Sequence, residues 1–355
     1  MKRVPALDGI RGIAILMVVA GHVASNYQPM EGEFRRWLVV FTNSDLGVRL
    51  FFVLSGYLIT SLLLQEHTKR GTISLKAFYL RRVLRIFPAF YTYLLTLTVL
   101  SLWIPCGLTP STWTASATFT WNYAHTWVNA PAEGTWNVGH LWTLALEEQF
   151  YLIWPLTLRL AGMRRALYIA VGLVVWCPLA RVGTYFFFPA ERGYLEMMFH
   201  TGSDSIMVGC AAALLMQSAS MREKFARVAS AGAWIAVCWM SVLSPLSGAL
   251  IRGFPIVAGF TLDALASAWI ILWARQTLPS GLGRLLGRGL LPALGTISYS
   301  LYLWQQVFLS PTGWLATGRI LPACGAAVAV ACLSYGLIEQ PALRLKNRRG
   351  APPSA

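Results

Sequence analysis

Ten apolar stretches recur along the chain, at residues 9–26, 46–64, 87–104, 140–158, 167–188, 203–217, 228–245, 254–274, 290–309 and 320–338. A helix rises about 1.5 Å per residue, so about 20 apolar residues cross the roughly 30 Å hydrocarbon core of a bilayer. Lipid offers no hydrogen bonds to the backbone, which leaves the helix as the form such segments take. The expected fold is all-α, a polytopic membrane helix bundle of about ten transmembrane helices. The spans use most of the 355 residues and leave no stretch long or polar enough for an added soluble domain. The expected division is a transmembrane domain over 1–345 and a short cytoplasmic tail over 346–355. Composition agrees: 56% of residues are hydrophobic and 12% charged, the latter about half the roughly 25% of a soluble domain. An ordinary cytosolic enzyme, a disordered chain and a small disulfide scaffold are all excluded.

The net charge is +15. On a soluble protein this would point to nucleic acid, but its placement points to a lipid bilayer. With the N-terminus in the cytoplasm, the inside segments hold 21 Lys and Arg, from Lys2 and Arg3 to Arg348 and Arg349. The outside segments hold five: Arg35, Arg36, Arg192, Arg252 and Arg319. Every inside loop follows the positive-inside rule, and an odd number of spans would scramble the alternation. Both termini are therefore expected in the cytoplasm. Lys2, Arg3 and the apolar run over 13–20 look superficially like a signal peptide. Asp8, Arg11 and His22 interrupt that pattern, so an uncleaved first span is expected. The six cysteines include no C-x-x-C pair, and five lie in apolar segments, as packing residues do.

Charges within a bilayer core are expensive and mark either function or a helix-packing contact. Arg11 and His22 are 11 residues apart, so they share a helix face at a separation of about 16 Å. Gly9 and Gly12 would let a second backbone approach that helix closely. A histidine near neutral pH can accept and return a proton. Arg82 and Arg85 lie one turn apart at the cytoplasmic end of the third span. Two such guanidinium groups suit phosphates of a cytosolic ligand, or equally positive-inside anchoring. Glu147 and Glu148 are adjacent, so they point in different directions and do not make a paired acid–base dyad. Tyr151 lies one turn beyond Glu147. For Asp204, Asp263, Arg181 and Tyr185, internal pairing is the safer reading.

The outer stretch over 105–139 carries one formal charge, Glu133, and six aromatics: Trp113, Phe119, Trp121, Tyr123, Trp127 and Trp136. Aromatic rings stack on sugars but also populate membrane interfaces. Trp121, Tyr123 and Trp127 are the candidates for contact with a sugar. His140 and His200 sit near outer membrane edges. No H-E-x-x-H motif, metal-spaced cluster or nucleotide P-loop is present, so neither a metal nor ATP is expected.

Several motifs together resemble the acyltransferase-3 membrane family. They are Leu7-Asp8-Gly9-Ile10-Arg11-Gly12-Ile13-Ala14 with His22, Gly47-Val48-Arg49-Leu50-Phe51-Phe52-Val53-Leu54-Ser55-Gly56-Tyr57, and Phe78-Tyr79-Leu80-Arg81-Arg82-Val83-Leu84-Arg85-Ile86. His140-Leu141-Trp142-Thr143-Leu144-Ala145-Leu146-Glu147-Glu148-Gln149-Phe150-Tyr151, Ile297-Ser298-Tyr299-Ser300-Leu301-Tyr302-Leu303-Trp304 and Ile338-Glu339-Gln340-Pro341 complete the series, in order from residue 7 to about 345. The resemblance implies a ten-helix enzyme of the bacterial inner membrane. It would move an acyl group, commonly acetyl, from cytosolic acetyl-CoA or another acyl-CoA to a hydroxyl of a surface glycan or similar acceptor. It implies that Arg11 and His22 are linked to activity, that Arg82 and Arg85 serve the acyl-CoA side, and that Glu147 is the acidic position of the fourth span. Where the family motif often continues with a histidine after Tyr302, this chain has Gln305. Glutamine is no general base, which concentrates proton transfer on His22. Some relatives carry a fused extracytoplasmic hydrolase-like domain. These 355 residues hold none, so a periplasmic completing step is expected from another protein or from the membrane domain itself.

The expected mechanism brings the acyl-CoA thioester into the bundle toward His22. His22 acts as base on the acceptor hydroxyl or transiently carries the acyl group. A transporter of a glycan, lipid-linked sugar or acylated product is the alternative, and would need no acyl-CoA. A membrane-embedded regulatory partner is a third reading, and would tolerate loss of His22. The acceptor, the acyl chain length and the oligomeric state are not legible in the sequence.

Overall fold

The computed structural model describes residues 4–27, 31–103, 108–126, 135–276, 280–312 and 317–350. It is all-helical, with no strand among the described residues. In chain order the α-helices are α1 (Pro5–Asn26), α2 (Gly32–Phe41), α3 (Ser44–Arg70), α4 (Leu75–Leu100), α5 (Pro110–Ala117), α6 (Trp136–Gly139), α7 (Leu141–Phe187) and α8 (Phe199–Gly202). They continue with α9 (Asp204–Leu215), α10 (Ala219–Cys238), α11 (Ser244–Leu250), α12 (Phe260–Gln276), α13 (Ser280–Gly287), α14 (Leu290–Phe308), α15 (Ile320–Ser334) and α16 (Gln340–Gly350). Single π-turns, Trp239–Leu243 and Tyr335–Glu339, join α10 to α11 and α15 to α16.

Each of the ten expected spans falls on a helical segment, and among the described residues seven runs are long and apolar enough to cross a membrane. One of the seven, Trp136–Phe187, holds two expected spans. Within α7 the backbone leaves helical geometry at Gly162 (φ 75°, ψ 168°), a conformation open to a residue without a Cβ, and this divides the fourth span from the fifth. The expected sixth span is α9, only 12 residues long, or about 18 Å. Asp204 through Leu214 are all buried in it, so α9 is enclosed by protein rather than lipid. The last helix, α16, continues past the 345/346 boundary expected from composition.

The chain forms two compact units. The first comprises Met1–Ser25, Met30–Ile73 and Ile153–Thr296; the second comprises Asn26–Pro29, Ser74–Leu152 and Ile297–Ala355. The first unit is built on close backbone approach. A Cβ on Gly56 of α3 would fall on the Ile206 carbonyl oxygen, and one on Gly209 of α9 would fall on that of Val53. Small residues at such crossings let helices gain van der Waals contact where no hydrophobic effect drives association. Gly9 and Gly12 of α1 meet the Leu286 and Leu291 carbonyls in the same way, and Gly295 meets that of Asp8. This is the close approach expected from Gly9 and Gly12. Around these crossings Ile10, Ala14, Leu50, Val53, Leu54 and Val208 form the core.

In the second unit, Phe90, Tyr93 and Leu94 of α4 are buried, as are Leu146 and Phe150 of α7 and Leu303 of α14. The part of α7 that belongs to the first unit exposes Leu160, Val175 and Leu179. Such an apolar surface suits lipid and not water. Helix ends carry their own signals. Asn43 caps α3 by accepting from the amides of Asp45 and Leu46, and Gly71 closes it in the left-handed conformation (φ 71°).

Candidate functional site

Arg11 and His22 ride on one unbroken helix, α1, whose first turn carries Asp8 at the end that favours negative charge. Both are half-buried and both are engaged by neighbouring groups. They belong to the first unit, whereas Arg82, Arg85, Glu147 and Glu148 belong to the second.

In the second unit the separate sequence candidates come together. The Arg82 guanidinium lies 4.7 Å from the centroid of the Tyr151 ring and 5.6 Å from that of Phe78, within cation–π range. Arg85, Glu147 and Glu148 all lie within electrostatic reach of it. Both adjacent glutamates therefore lie near one arginine, in a single cluster. Glu148 Oε1 is buried and has no hydrogen-bond partner among the described residues. Tyr299 donates to the Ile86 carbonyl (2.9 Å), which ties α14 beside the arginine turn of α4. The cluster offers two guanidinium groups, two carboxyl groups and an aromatic face. It can bind phosphate or steady a developing oxyanion.

A second buried cluster was not anticipated. His140 is 4% exposed, its ring 5.2 Å from that of Tyr302 and 5.9 Å from that of Tyr93. Tyr302 donates to the His140 carbonyl (2.9 Å) and lies 2.7 Å from the Thr143 hydroxyl. Gln305, which stands where the family motif often has a histidine, is fully buried one turn beyond Tyr302. The sequence signal was present: His140 lies seven residues, about two turns, before Glu147. Hydropathy puts His140 near a membrane edge, which says nothing of its burial within the protein. Glu339 is also buried, accepting from Ser300 (3.2 Å).

The aromatic outer stretch is folded onto helices of its own unit. Trp121 donates its indole N–H to the Gly139 carbonyl (3.0 Å). Asn122 and Gln149 exchange two hydrogen bonds of 3.0 and 2.9 Å, and Phe119 stacks on Phe90 with centroids 4.5 Å apart. Trp121 and Tyr123 are half-buried there. Trp127, the third aromatic candidate, lies outside the described residues, as does Cys106.

The remaining intramembrane charges pair internally. Arg181 is fully buried and donates to Asp204 Oδ2 (2.9 Å), the Thr261 hydroxyl (2.9 Å) and the carbonyls of Thr201 (2.7 Å) and Ile256 (2.9 Å). Arg49 bridges Asp263 (3.3 Å) and Glu196 (3.1 Å) with its guanidinium 3.9 Å from the centroid of the Phe260 ring. Glu196, which lies between α7 and α8, gave no sequence signal.

Burial pushes the Glu196 carboxyl up to about 7, Asp45 adding to the shift and Arg49 opposing it. The fold thus favours the protonated acid. That share of stability is complete below the ordinary carboxylate range and is lost as pH rises through about 7. The melting temperature in detergent is expected to fall between pH 5 and pH 8, and Glu196→Gln should flatten that slope. An unchanged slope in the variant would assign the dependence elsewhere. Among the described residues, no three His, Cys, Asp or Glu side chains gather as metal ligands.

Comparison with known proteins bears on the whole chain. A family model for an acyltransferase domain, of the acyltransferase-3 type, matches residues 4–339. The putative peptidoglycan O-acetyltransferase YrhL of Bacillus subtilis is 29% identical over 373 residues, covering 96% of this chain and 55% of that protein. The peptidoglycan O-acetyltransferase OatA of Listeria monocytogenes is 28% identical over 376 residues, covering 96% of this chain and 56% of that protein. The chain spans about half the length of the curated relatives it matches. No solved structure matches.

Proposed function

The chain belongs to the acyltransferase-3 family, and on that premise we propose that it is an integral membrane O-acyltransferase that moves an acetyl group from acetyl-CoA to a hydroxyl of a cell-wall or other surface glycan. The single observation that carries this reading is the family match over residues 4–339. The two relatives named as peptidoglycan O-acetyltransferases favour acetyl as the group and peptidoglycan as the first acceptor to test.

In this reading the arginine-rich segments face the cytoplasm, on the strength of the charge alternation, and the protein lies in the inner (plasma) membrane. Arg82 and Arg85 take the phosphates of the donor, as guanidinium pairs do. His22 takes the proton of the acceptor hydroxyl. The acceptor oxygen then bonds to the acyl carbon, the carbon–sulfur bond breaks, and the proton passes to the departing thiolate. Arg11 holds negative charge near that step, Glu147 sets the Arg82 guanidinium, and Trp121 and Tyr123 offer ring faces to a sugar.

Mass spectrometry of cell-wall and surface glycans from cells with and without the protein tests the reading. An acetyl increment on a glycan that disappears with the protein is the expected result. Unchanged glycans, together with no transfer of label from acetyl-CoA in membranes, would sink it. Accumulation of an unmodified glycan on one side of the membrane would point to the transporter instead. The donor assignment has its own test. Arg82→Ala with Arg85→Ala is expected to weaken acetyl-CoA binding at least tenfold in equilibrium dialysis, because each charge-assisted contact contributes about 1.5–3 kcal/mol.

A further inference from the structure

The first unit holds an open basin of about 760 Å³ that the reaction above does not use. Lys69 of α3, Arg222 of α10 and Arg275 of α12 line it, and among the described residues no carboxylate does. The rest of the lining is mixed, with Tyr57, Gln65 and Gln276 polar and Val4, Ala213 and Met216 apolar. Arg275 sits 5.9 Å from the centroid of the Tyr57 ring, and Arg222 is steered by donating Nη1 to the carbonyls of Met216 (2.9 Å) and Gln217 (3.0 Å), just beyond α9. The three cations come from three segments that the charge alternation places on the same side of the membrane.

Gathering three like charges around one concavity costs energy unless an anion is there to offset it. Cations serving only as membrane anchors would project toward headgroups rather than border a cavity. The volume falls in the range of pockets for small molecules and cofactors, roughly 300–1,000 Å³. A guanidinium steered by backbone carbonyls and another lying over an aromatic face are held partly in place, which lowers the ordering cost of binding.

We propose that this basin is a binding site for phosphate esters, separate from the Arg82–Arg85 pair. Two sources carry that chemistry: a water-soluble, nucleotide-sized molecule with more than one phosphate, and the headgroup of an anionic lipid. The site stands whether or not Arg82 and Arg85 bind the donor.

The test uses the full chain in nanodiscs. In discs of phosphatidylcholine alone, adenosine 3′,5′-bisphosphate is titrated calorimetrically. In discs containing phosphatidylglycerol, retained lipid is read by native mass spectrometry after release into detergent. Each measurement compares the wild type with Lys69→Gln/Arg275→Gln, and with Arg159→Gln/Arg284→Gln, an exposed pair that removes the same charge away from the basin. Bisphosphate binding that weakens at least tenfold in the basin pair and not in the control pair supports the soluble source. No bisphosphate binding, but bound phosphatidylglycerol lost only in the basin pair, supports the lipid source. Absence of both ligands from the wild type, or equal effects of the two pairs, overturns the proposal. Bisphosphate binding abolished by Arg82→Ala/Arg85→Ala yet kept in the basin pair, with no lipid loss, also overturns it while leaving the donor assignment standing.

Discussion

Replacing His22 by Ala is expected to lower acetyl transfer by about two to four orders of magnitude, the range that a positioned acid–base group contributes, with the protein still folded. His22 is half-buried on the regular helix α1, and Ala is the best helix former, so the helix itself survives the change. The measurement is transfer of labelled acetyl from acetyl-CoA to a glycan acceptor in membranes, normalised to folded protein. Full transfer by a stably folded variant would remove His22 from the mechanism. Rapid acid quenching separates the two imidazole routes. Label trapped on the wild-type chain and absent from His22→Ala marks an acyl-imidazole; label only on the acceptor marks a general base. A regulatory partner would show no transfer in either protein.

The second large effect is structural. Arg181→Ala leaves Asp204 as a buried carboxylate without its cation and strips the Thr201 and Ile256 carbonyls of a donor. Breaking a fully buried ion pair in this way costs about 3–5 kcal/mol, enough to remove most folded protein from a marginally stable chain. Size-exclusion chromatography in detergent should show little monodisperse Arg181→Ala. The loss should be partly recovered by adding Asp204→Asn, which removes the stranded charge while keeping an acceptor for the Thr261 hydroxyl, now 2.6 Å from Asp204 Oδ2. Equal yields of the single and double variants would show that Asp204 is not what makes the loss severe.

These effects mark a boundary in what could be read ahead of the structure. The spans were legible because the bilayer imposes a length and a composition on each crossing, both local properties of the chain. Gly9 and Gly12 were legible for a related reason: glycine in a membrane helix advertises close approach, and Leu286 and Leu291 supply it. The break at Gly162 falls in the interval left between the spans 140–158 and 167–188 and was legible too; the burial of α9 was not, because hydropathy does not distinguish a helix facing lipid from one facing protein. Arg181 and Asp204 were both noted as internal pairing partners, but nothing in their spacing joined them to each other. Glu196 lies between two spans, where nothing in the sequence signals that Arg49 and Asp45 lie near it.

The sequence by itself determined that the chain is helical, that it lives in a membrane, and which side each loop is expected to face. Those follow from the cost of exposing backbone and charge to lipid, which is paid segment by segment. Only the tertiary structure decided that Glu147 and Glu148 both lie near Arg82, that His140 packs against Tyr93 and Tyr302, and that Lys69, Arg222 and Arg275 share one basin. Such groupings join residues up to 206 positions apart. They depend on which helix faces meet, and that is set by packing between helices rather than by any one helix alone.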